Sequence, residues 1–590
     1  MSRILRVERK TLAQRLKSDR YFAWIKRQVT PKEAAEVAAL NLRGLQLTKE
    51  AKRYYPNREL ASHLIGFTNL DGTGISGLEL QYDSRLRGSD QRVPAVRDRR
   101  GNVVYSEELV DDRSSLGDSI TLTIDKTIQH IAERELALAV KTYEAKSASV
   151  VVLDPSSGQV LAVANYPTFN PNEPNSVKSD SRRNRALTDL FEPGSTIKPM
   201  TIAGALKANV LGPYQAIDCE NGTYRVATSI IHDTKKHGLL SPTEVLSYSS
   251  NIGVAKIAEA LGKKRLYETL RGFGFGEKTH VGFPGESSGR LRDYHSWYQI
   301  DTANVAFGQG LSVTSLQLAT AMGAIANGGV LVRPTLVARI TDGFERVVDV
   351  EQSDEIRRVL PQESAELVRD MLTAVTGPSG TGTEAAVDGY LTAGKTGTAQ
   401  KADPIVGGYA KDKWVSSFVG FLPADDPRVV ISVVVDEPMI EHYGGAVAGP
   451  VFRRIGAGVM RHLGVPGRDS IIQIVKAESN VAVDTSTEAA IAVSEEHTAN
   501  PRGGNQKFQK MPNLVGKTMR EAIKALHDRS LVARVEGSGL VVSQQFVAGK
   551  NVNRGASVRL VFGRPDALPP IEESRKDALV ASQQILEAKK

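Results

Sequence analysis

A chain of 590 residues with 41% hydrophobic and 24% charged residues is ordinary globular protein, long enough for several domains that each bury a core. Its net charge of +8 suits an anionic partner such as a cell-wall polymer or a lipid surface, and the absence of any nucleic-acid motif or aromatic-basic interleaving argues against nucleic acid. One cysteine, Cys219, excludes an internal disulfide framework and a multi-cysteine zinc site.

Residues 1 to 30 are rich in Arg and Lys, and no stretch of the chain reads as a transmembrane helix or a secretory signal. Residues 1–115 form a first module with glycine-rich turns at Asp71-Gly72-Thr73-Gly74 and Gly77, its basic residues reading as a solvated face. From Thr121 a strand-like piece leads to a helix with Ile128, Ile131, Leu136 and Val140 on one side. The main domain, 116–465, carries strands at both ends and helices between, a pattern that implies a mixed sheet covered by helices.

Inside that domain, Phe191-Glu192-Pro193-Gly194 is a breaker cluster, and the run after Ser195 turns helical and apolar. Pro199 fits only near a first helical turn, where amide hydrogens lack partners anyway. Ser195 and Lys198, three apart, then share a helix face. A serine hydroxyl needs a base to take its proton, and a lysine serves only when desolvation or nearby positive charge lowers its pKa. Lys395 can supply that charge. The helix start also adds backbone donors suited to an oxyanion.

Ser249-Ser250-Asn251 opens a second helical segment over residues 252–261. There Ser249 can relay a proton between lysine and a leaving amine, and the Asn251 amide can orient a peptide group. His232 and His237 lie just upstream with no third ligand nearby, so the sequence offers no metal site; Asp233 is expected to order the loop ahead of Ser249. Lys395-Thr396-Gly397-Thr398 precedes strand-like runs at 414–422 and 429–435. On an edge strand it could pair with an extended peptide, its lysine and hydroxyls meeting a carboxylate and Gly397 letting the substrate backbone approach.

Residues 466–508 read as a polar linker. A small module follows at 509–564, with a capping box at Thr518-Met519-Arg520-Glu521 and an apolar helix face of Met519, Ala522, Ile523 and Leu526. Strand runs at 531–535 and 557–562 complete it, and residues 565–590 read as a disordered tail.

The ordered trio Ser195-Thr196-Ile197-Lys198, Ser249-Ser250-Asn251 and Lys395-Thr396-Gly397 resembles the known signature of penicillin-binding proteins and class A β-lactamases. Further likeness comes from the run Leu153 to Ala162, from Phe307-Gly308-Gln309-Gly310 and from Ala326-Asn327-Gly328-Gly329. Together they resemble a class B penicillin-binding protein, most like the cell-division peptidoglycan D,D-transpeptidases of the penicillin-binding protein 3 group. Phe191 stands where that family usually has tyrosine. Met511-Pro512-Asn513-Leu514-Val515-Gly516 and residues 551–560 resemble a PASTA domain, with Gln545-Phe546-Val547 where that family usually carries a proline.

The resemblance implies a multidomain α/β architecture: a β-lactamase-like transpeptidase domain with a central antiparallel sheet covered by helices, a partial N-terminal pedestal and a small PASTA module. It implies acyl transfer with no cofactor and no metal. Ser195 attacks the bond between the terminal D-alanines of a stem peptide, aided by Lys198, Ser249, Asn251 and Lys395. The N–H groups of Ser195 and Thr398 hold the oxyanion, Thr396, Gly397 and Thr398 bind substrate, and an amine from a second stem peptide takes the acyl group. β-Lactams acylate Ser195 as substrate mimics. A membrane-embedded lipid II polymerase and division proteins are the implied partners, at the extracytoplasmic face of the inner membrane. Met1 falls inside the family's pedestal, for which a misplaced start codon is the expected explanation. The alternative is a binding protein, a β-lactam-acylated sensor or division scaffold that does not turn over.

Overall fold

In the computed structural model, which describes residues 1–17, 21–48, 50–89, 96–97, 103–104, 112–403, 407–468, 508–529, 531–537, 540–553 and 556–563, the main domain grows from one helix and one hairpin. Helix α1 (Lys126–Tyr143) starts where the Asp125 carboxylate accepts the N–H groups of Thr127 and Ile128, satisfying donors that a first turn leaves orphaned. Ile128, Ala132, Leu136, Ala139 and Val140 are buried on its inner face and Ile131 is half-buried. Strands β1 (Ser147–Leu153) and β2 (Val160–Tyr166) follow as a hairpin. Asp154 turns it by accepting the N–H and O–H of Ser156, and Gly158 closes it at φ +74°, a left-handed value that favours glycine.

The chain next builds α2 (Lys198–Lys207), α3 (Asn251–Leu261) and α4 (Ser315–Ala326). It returns as β3 (Ala393–Ala402), β4 (Tyr409–Leu422) and β5 (Val429–Asp436), then α5 (Gly444–His462). The sheet order is β3-β4-β5-β1-β2, with every pair antiparallel. This corrects the mixed sheet suggested by the alternation of elements and agrees with the antiparallel sheet implied by the resemblance. Three of the four pairings are hairpins, whose short connections force opposite directions. The fourth joins β5 to β1, from Val430 opposite Leu153 to Asp436 opposite Ser147.

β1 is buried along its whole length because helices cover both faces. Val151 and Leu153 enter the core shared with α2, α3 and α4, while Val150 and Val152 enter the core of α1 and α5. Each such side chain contributes roughly 1.5–3 kcal/mol on burial, so the sheet is a firm base for β3 at its edge. Asn327 ties the end of α4 back to this sheet, its amide donating to the carbonyls of Pro155 and Val330.

In the N-terminal region, Thr30 and Glu33 form a capping box on the helix Pro31–Ala38. The short strands Phe67–Thr68 and Gly74–Ser76 turn at Asn69, which accepts the N–H groups of Asp71 and Thr73. Arg27, Lys26 and Arg53 pair with nearby carboxylates. Glu133 on α1 accepts the Ala61 N–H at 2.8 Å, and His63 Nε2 lies 3.1 and 3.0 Å from the carbonyls of Pro167 and Ser181. These bonds join the region to the main domain within one unit, residues 1–483.

The second unit, residues 484–590, has its own core of Met511, Leu514, Ala522, Leu526, Val541, Val558 and Leu560. Its helix α6 (Met519–His527) has the predicted capping box of Thr518 and Glu521. Ala522 and Leu526 are buried as predicted, but Ile523 is 38% exposed and Ala525 packs on the core instead. At 100° per residue, Ala522 falls between Ala525 and Leu526 while Ile523 turns outward. Strands β6 (Val532–Gly537), β7 (Leu540–Gln544) and β8 (Ser557–Gly563) take the order β6-β8-β7. Most of the predicted linker, together with the predicted tail and the side chain of Met519, lies outside the described residues. Among the described residues no helix is long and apolar enough to cross a membrane.

Candidate active site

The breaker cluster ahead of Ser195 is held by backbone bonds to a distant loop. Phe191 and Val313 exchange both N–H···O bonds, at 3.1 and 2.9 Å, and the Gly194 N–H donates to the Gly308 carbonyl. Gly308 stands at φ +91°, and a Cβ there would lie 2.0 Å from the Gly194 carbonyl oxygen. The Phe307-Gly308-Gln309-Gly310 string therefore braces the turn that carries Ser195. That turn is a single 3-10 turn, Gly194–Ile197, and α2 starts at Lys198 with Pro199 in its first turn. Ser195 is half-buried, while Thr196 and Lys198 on either side of the turn are fully buried.

Lys198 reaches the second string. Its Nζ donates to the Ser249 carbonyl at 2.5 Å and to Asn251 Oδ1 at 2.8 Å, and lies 3.3 Å from Ser249 Oγ. Lys395 Nζ approaches the same Ser249 Oγ at 3.0 Å. Ser249 Oγ thus sits between two lysine side chains that are both 0% exposed. Burial lowers the Lys198 pKa to about 7, against the opposing pull of Asp233 and then Cys219. Burial, and then the charge of Lys198, push Lys395 well below its ordinary value. The expected depression of Lys198 is therefore present, with desolvation as its leading cause. A neutral Lys198 has two N–H donors, which Ser249 O and Asn251 Oδ1 engage; its lone pair is left for a proton from a neighbouring hydroxyl.

Asp233 orders this string as anticipated. Its carboxylate accepts Ser250 Oγ at 2.6 Å and the N–H groups of Asn251 and Ile252 at 2.5 and 3.1 Å, so it caps α3 together with Ser250. Ser249 is left at φ +61°, a conformation that costs a non-glycine residue about 1–3 kcal/mol and recurs at functional sites. His237 stacks flat on Tyr248, and the His232 carbonyl accepts the Asn251 amide. Both histidines brace the loop. Among the described residues no cluster of three metal-ligating side chains occurs.

The third string lies on β3, which among the described residues has β4 as its only sheet neighbour and is the predicted edge strand. Two of its residues also make contacts that the sequence did not announce. The Thr396 hydroxyl lies 3.1 Å from Lys395 Nζ and 3.0 Å from Thr381 Oγ1, on a buried residue. A Cβ on Gly397 would stand 2.4 Å from Ser417 Oγ, 2.8 Å from Thr196 Cγ2 and 2.9 Å from the Pro193 carbonyl. Glycine is therefore required here for the nucleophile turn to pack on the strand. Gly397→Ala is expected to cost about 1–3 kcal/mol through overpacking, read as a lowered thermal midpoint. Thr398 accepts the Gly444 N–H at 2.9 Å, which leaves its own hydroxyl hydrogen free to donate.

Sequence reasoning passed over Glu192, although it sits within the breaker cluster. Its carboxylate accepts the Gly310 N–H and the Tyr409 hydroxyl, each at 2.9 Å, and burial raises its pKa. It ties the nucleophile segment to the start of β4. Thr381 was also passed over, because nothing local in its sequence marks it.

With the geometry in place, comparison with known proteins is direct. A family model described as the penicillin binding protein transpeptidase domain matches residues 148–457, a penicillin-binding protein dimerisation domain matches 1–122 and a PASTA domain matches 509–564. The probable peptidoglycan D,D-transpeptidase PenA of Neisseria meningitidis is 41% identical over 461 residues, covering 78% of this chain and 76% of the relative. The peptidoglycan D,D-transpeptidase FtsI of Escherichia coli is 38% identical over 445 residues, covering 75% and 73%. Among solved structures, penicillin binding protein 3 of Mycobacterium tuberculosis, complexed with aztreonam, is 33% identical with a TM-score of 0.63, covering 70% of this chain and 91% of that one. The chain belongs to the class B penicillin-binding proteins, with a dimerisation domain ahead of its transpeptidase domain and a PASTA domain after it.

Proposed function

We propose that this chain is a peptidoglycan D,D-transpeptidase in which Ser195 is the nucleophile. The observation that carries the reading is Ser249 Oγ held between two buried lysines, one with its pKa lowered to about 7. Neutral Lys198 takes the Ser195 proton as the hydroxyl attacks the carbonyl between two terminal D-alanines. Developing negative charge falls to the N–H groups of Ser195 and Thr398, donors already fixed by the turn and the strand. Ser249 passes the proton to the departing D-alanine amine, and Asn251 orients the substrate amide. The same groups run in reverse when an amine from a second stem peptide attacks the acyl-enzyme. Thr398, with its free hydroxyl hydrogen, meets the terminal carboxylate.

The cross-linking of cell wall places this chemistry at the outer face of the cytoplasmic membrane, and the likeness to the division group supports a septal role. A lipid II polymerase and other division proteins are the partners that this role requires.

Turnover tests the reading. A donor thioester or stem-peptide analogue is expected to hydrolyse slowly and to react faster when a D-amino acid is supplied, with products followed by mass spectrometry. One covalent event per molecule without turnover would make the chain a sensor. Equal hydrolysis with and without acceptor would make it a carboxypeptidase.

A further inference from the structure

A cavity of about 840 Å³ begins where the catalytic strings end. Phe191 and Glu192, just ahead of the nucleophile turn, line one side; Ala399 and Gln400, just after Thr398 on β3, line another. An extended peptide pairing with the β3 edge beyond Thr398 runs toward it. The cavity wall is rich in charge, and nearly all of that charge is already matched. Arg183 and Arg185 pair with Asp180 and Asp189, Arg292 with Asp301, and Lys401 with Asp436 and Glu437. Lys146 pairs with Glu437.

Arg290 is different. Among the described residues its guanidinium has no acidic partner and no hydrogen bond, and it is exposed at the cavity wall. Its backbone, by contrast, is firmly held. The Arg290 N–H donates to the Ser312 carbonyl at 2.7 Å and the Ser312 N–H returns to Arg290 at 2.9 Å, one residue from the Val313 bridge to Phe191. The position of Arg290 is therefore fixed relative to the segment that carries Ser195. Glu192, on the same wall, is engaged by the Gly310 N–H and the Tyr409 hydroxyl. An unpaired guanidinium carried on a fixed backbone at the wall of this charge-lined cavity is suited to bidentate capture of a carboxylate.

We propose that this cavity binds a free carboxylate of the donor stem peptide, upstream of its terminal D-alanines, and that Arg290 is the residue that selects it. The inference rests on the transpeptidase reading, which supplies a peptide running along β3. It makes Arg290 a specificity residue that acts on the donor before acylation and takes no part in bond making.

The test compares two donors that end in D-alanyl-D-alanine, one with free upstream carboxylates and one with those carboxylates amidated. kcat/KM for acyl transfer is measured with the wild type, Arg290→Gln and Arg290→Lys. The wild type is expected to favour the acid donor about tenfold, the scale of one charged hydrogen-bonded contact. Arg290→Gln is expected to lose most of that preference, by slowing the acid donor while changing the amide donor less than about twofold. Arg290→Lys keeps part of the preference, since it retains the charge but not the fork. Equal slowing of both donors by Arg290→Gln, or no preference for the acid in the wild type, overturns the proposal. No turnover of either donor by the wild type overturns the transpeptidase reading and the proposal with it. An unchanged thermal midpoint for Arg290→Gln assigns the loss to recognition and not to unfolding.

Discussion

Ser195→Ala is expected to take up no labelled penicillin, while the wild type is labelled in a one-to-one ratio, both read by intact-protein mass spectrometry. The expectation follows because the other hydroxyls of the site already have protein partners. Thr196 Oγ1 is buried and donates to the Pro193 carbonyl. Ser249 Oγ is held by Lys395 and Lys198, and Thr398 Oγ1 accepts from Gly444. Ser195 is half-buried on its turn, and none of the described residues donates to its Oγ or accepts from it. Removing that oxygen therefore removes the nucleophile and little packing, so the thermal midpoint should barely move. Labelling that survived in the alanine variant would displace Ser195 from the mechanism and point to Ser249.

The three catalytic strings were legible because each is local. A helix-start serine with lysine three residues on, a serine and asparagine at a second helix start and a lysine on a glycine-bearing strand all declare themselves in a few residues. Their convergence was carried by the family signature, since no periodicity brings residues 198, 249 and 395 together. What stayed hidden depends on long-range packing. The reversed direction of β5 against β1 leaves no local mark, because a fully buried strand reads as an apolar run in either direction. The part played by Gly397 turns on where Pro193 and Thr196 lie across the strand. The contact of Thr396 with Thr381 likewise depends on where a residue 15 positions upstream falls in the fold. The left-handed Ser249 also escaped, since serine carries no preference for that conformation and the Asp233 cap on Asn251 and Ile252 that follows it is long-range. Asp233 was expected to order the loop ahead of Ser249, and it does so from 17 to 19 residues away, by accepting from Ser250, Asn251 and Ile252.

Lys198→Ala is expected to slow acylation of Ser195 by about two to four decades, the contribution of a positioned general base. The loss should come with a change in pH dependence. In the wild type, burial holds the Lys198 pKa at about 7, so the base is protonated and idle below that value. The acylation rate should rise about tenfold per pH unit up to pH near 7 and level off above it; the limb should vanish in Lys198→Ala. Stability supplies an independent check on the same group. Its folded pKa of about 7 lies below the ordinary 10.5, so between these values the unfolded chain binds the proton that the fold has released. Stability from this lysine is then fully present above pH about 10.5 and is lost as pH falls through 7, with no further change below. The urea midpoint of the wild type should accordingly gain more than that of Lys198→Ala between pH 7 and pH 9. Lys395 is depressed in the same direction and stays in place in the variant, so the difference between the two proteins reports on Lys198. Unchanged acylation in Lys198→Ala would transfer the base to Lys395, the other buried lysine that reaches Ser249 Oγ.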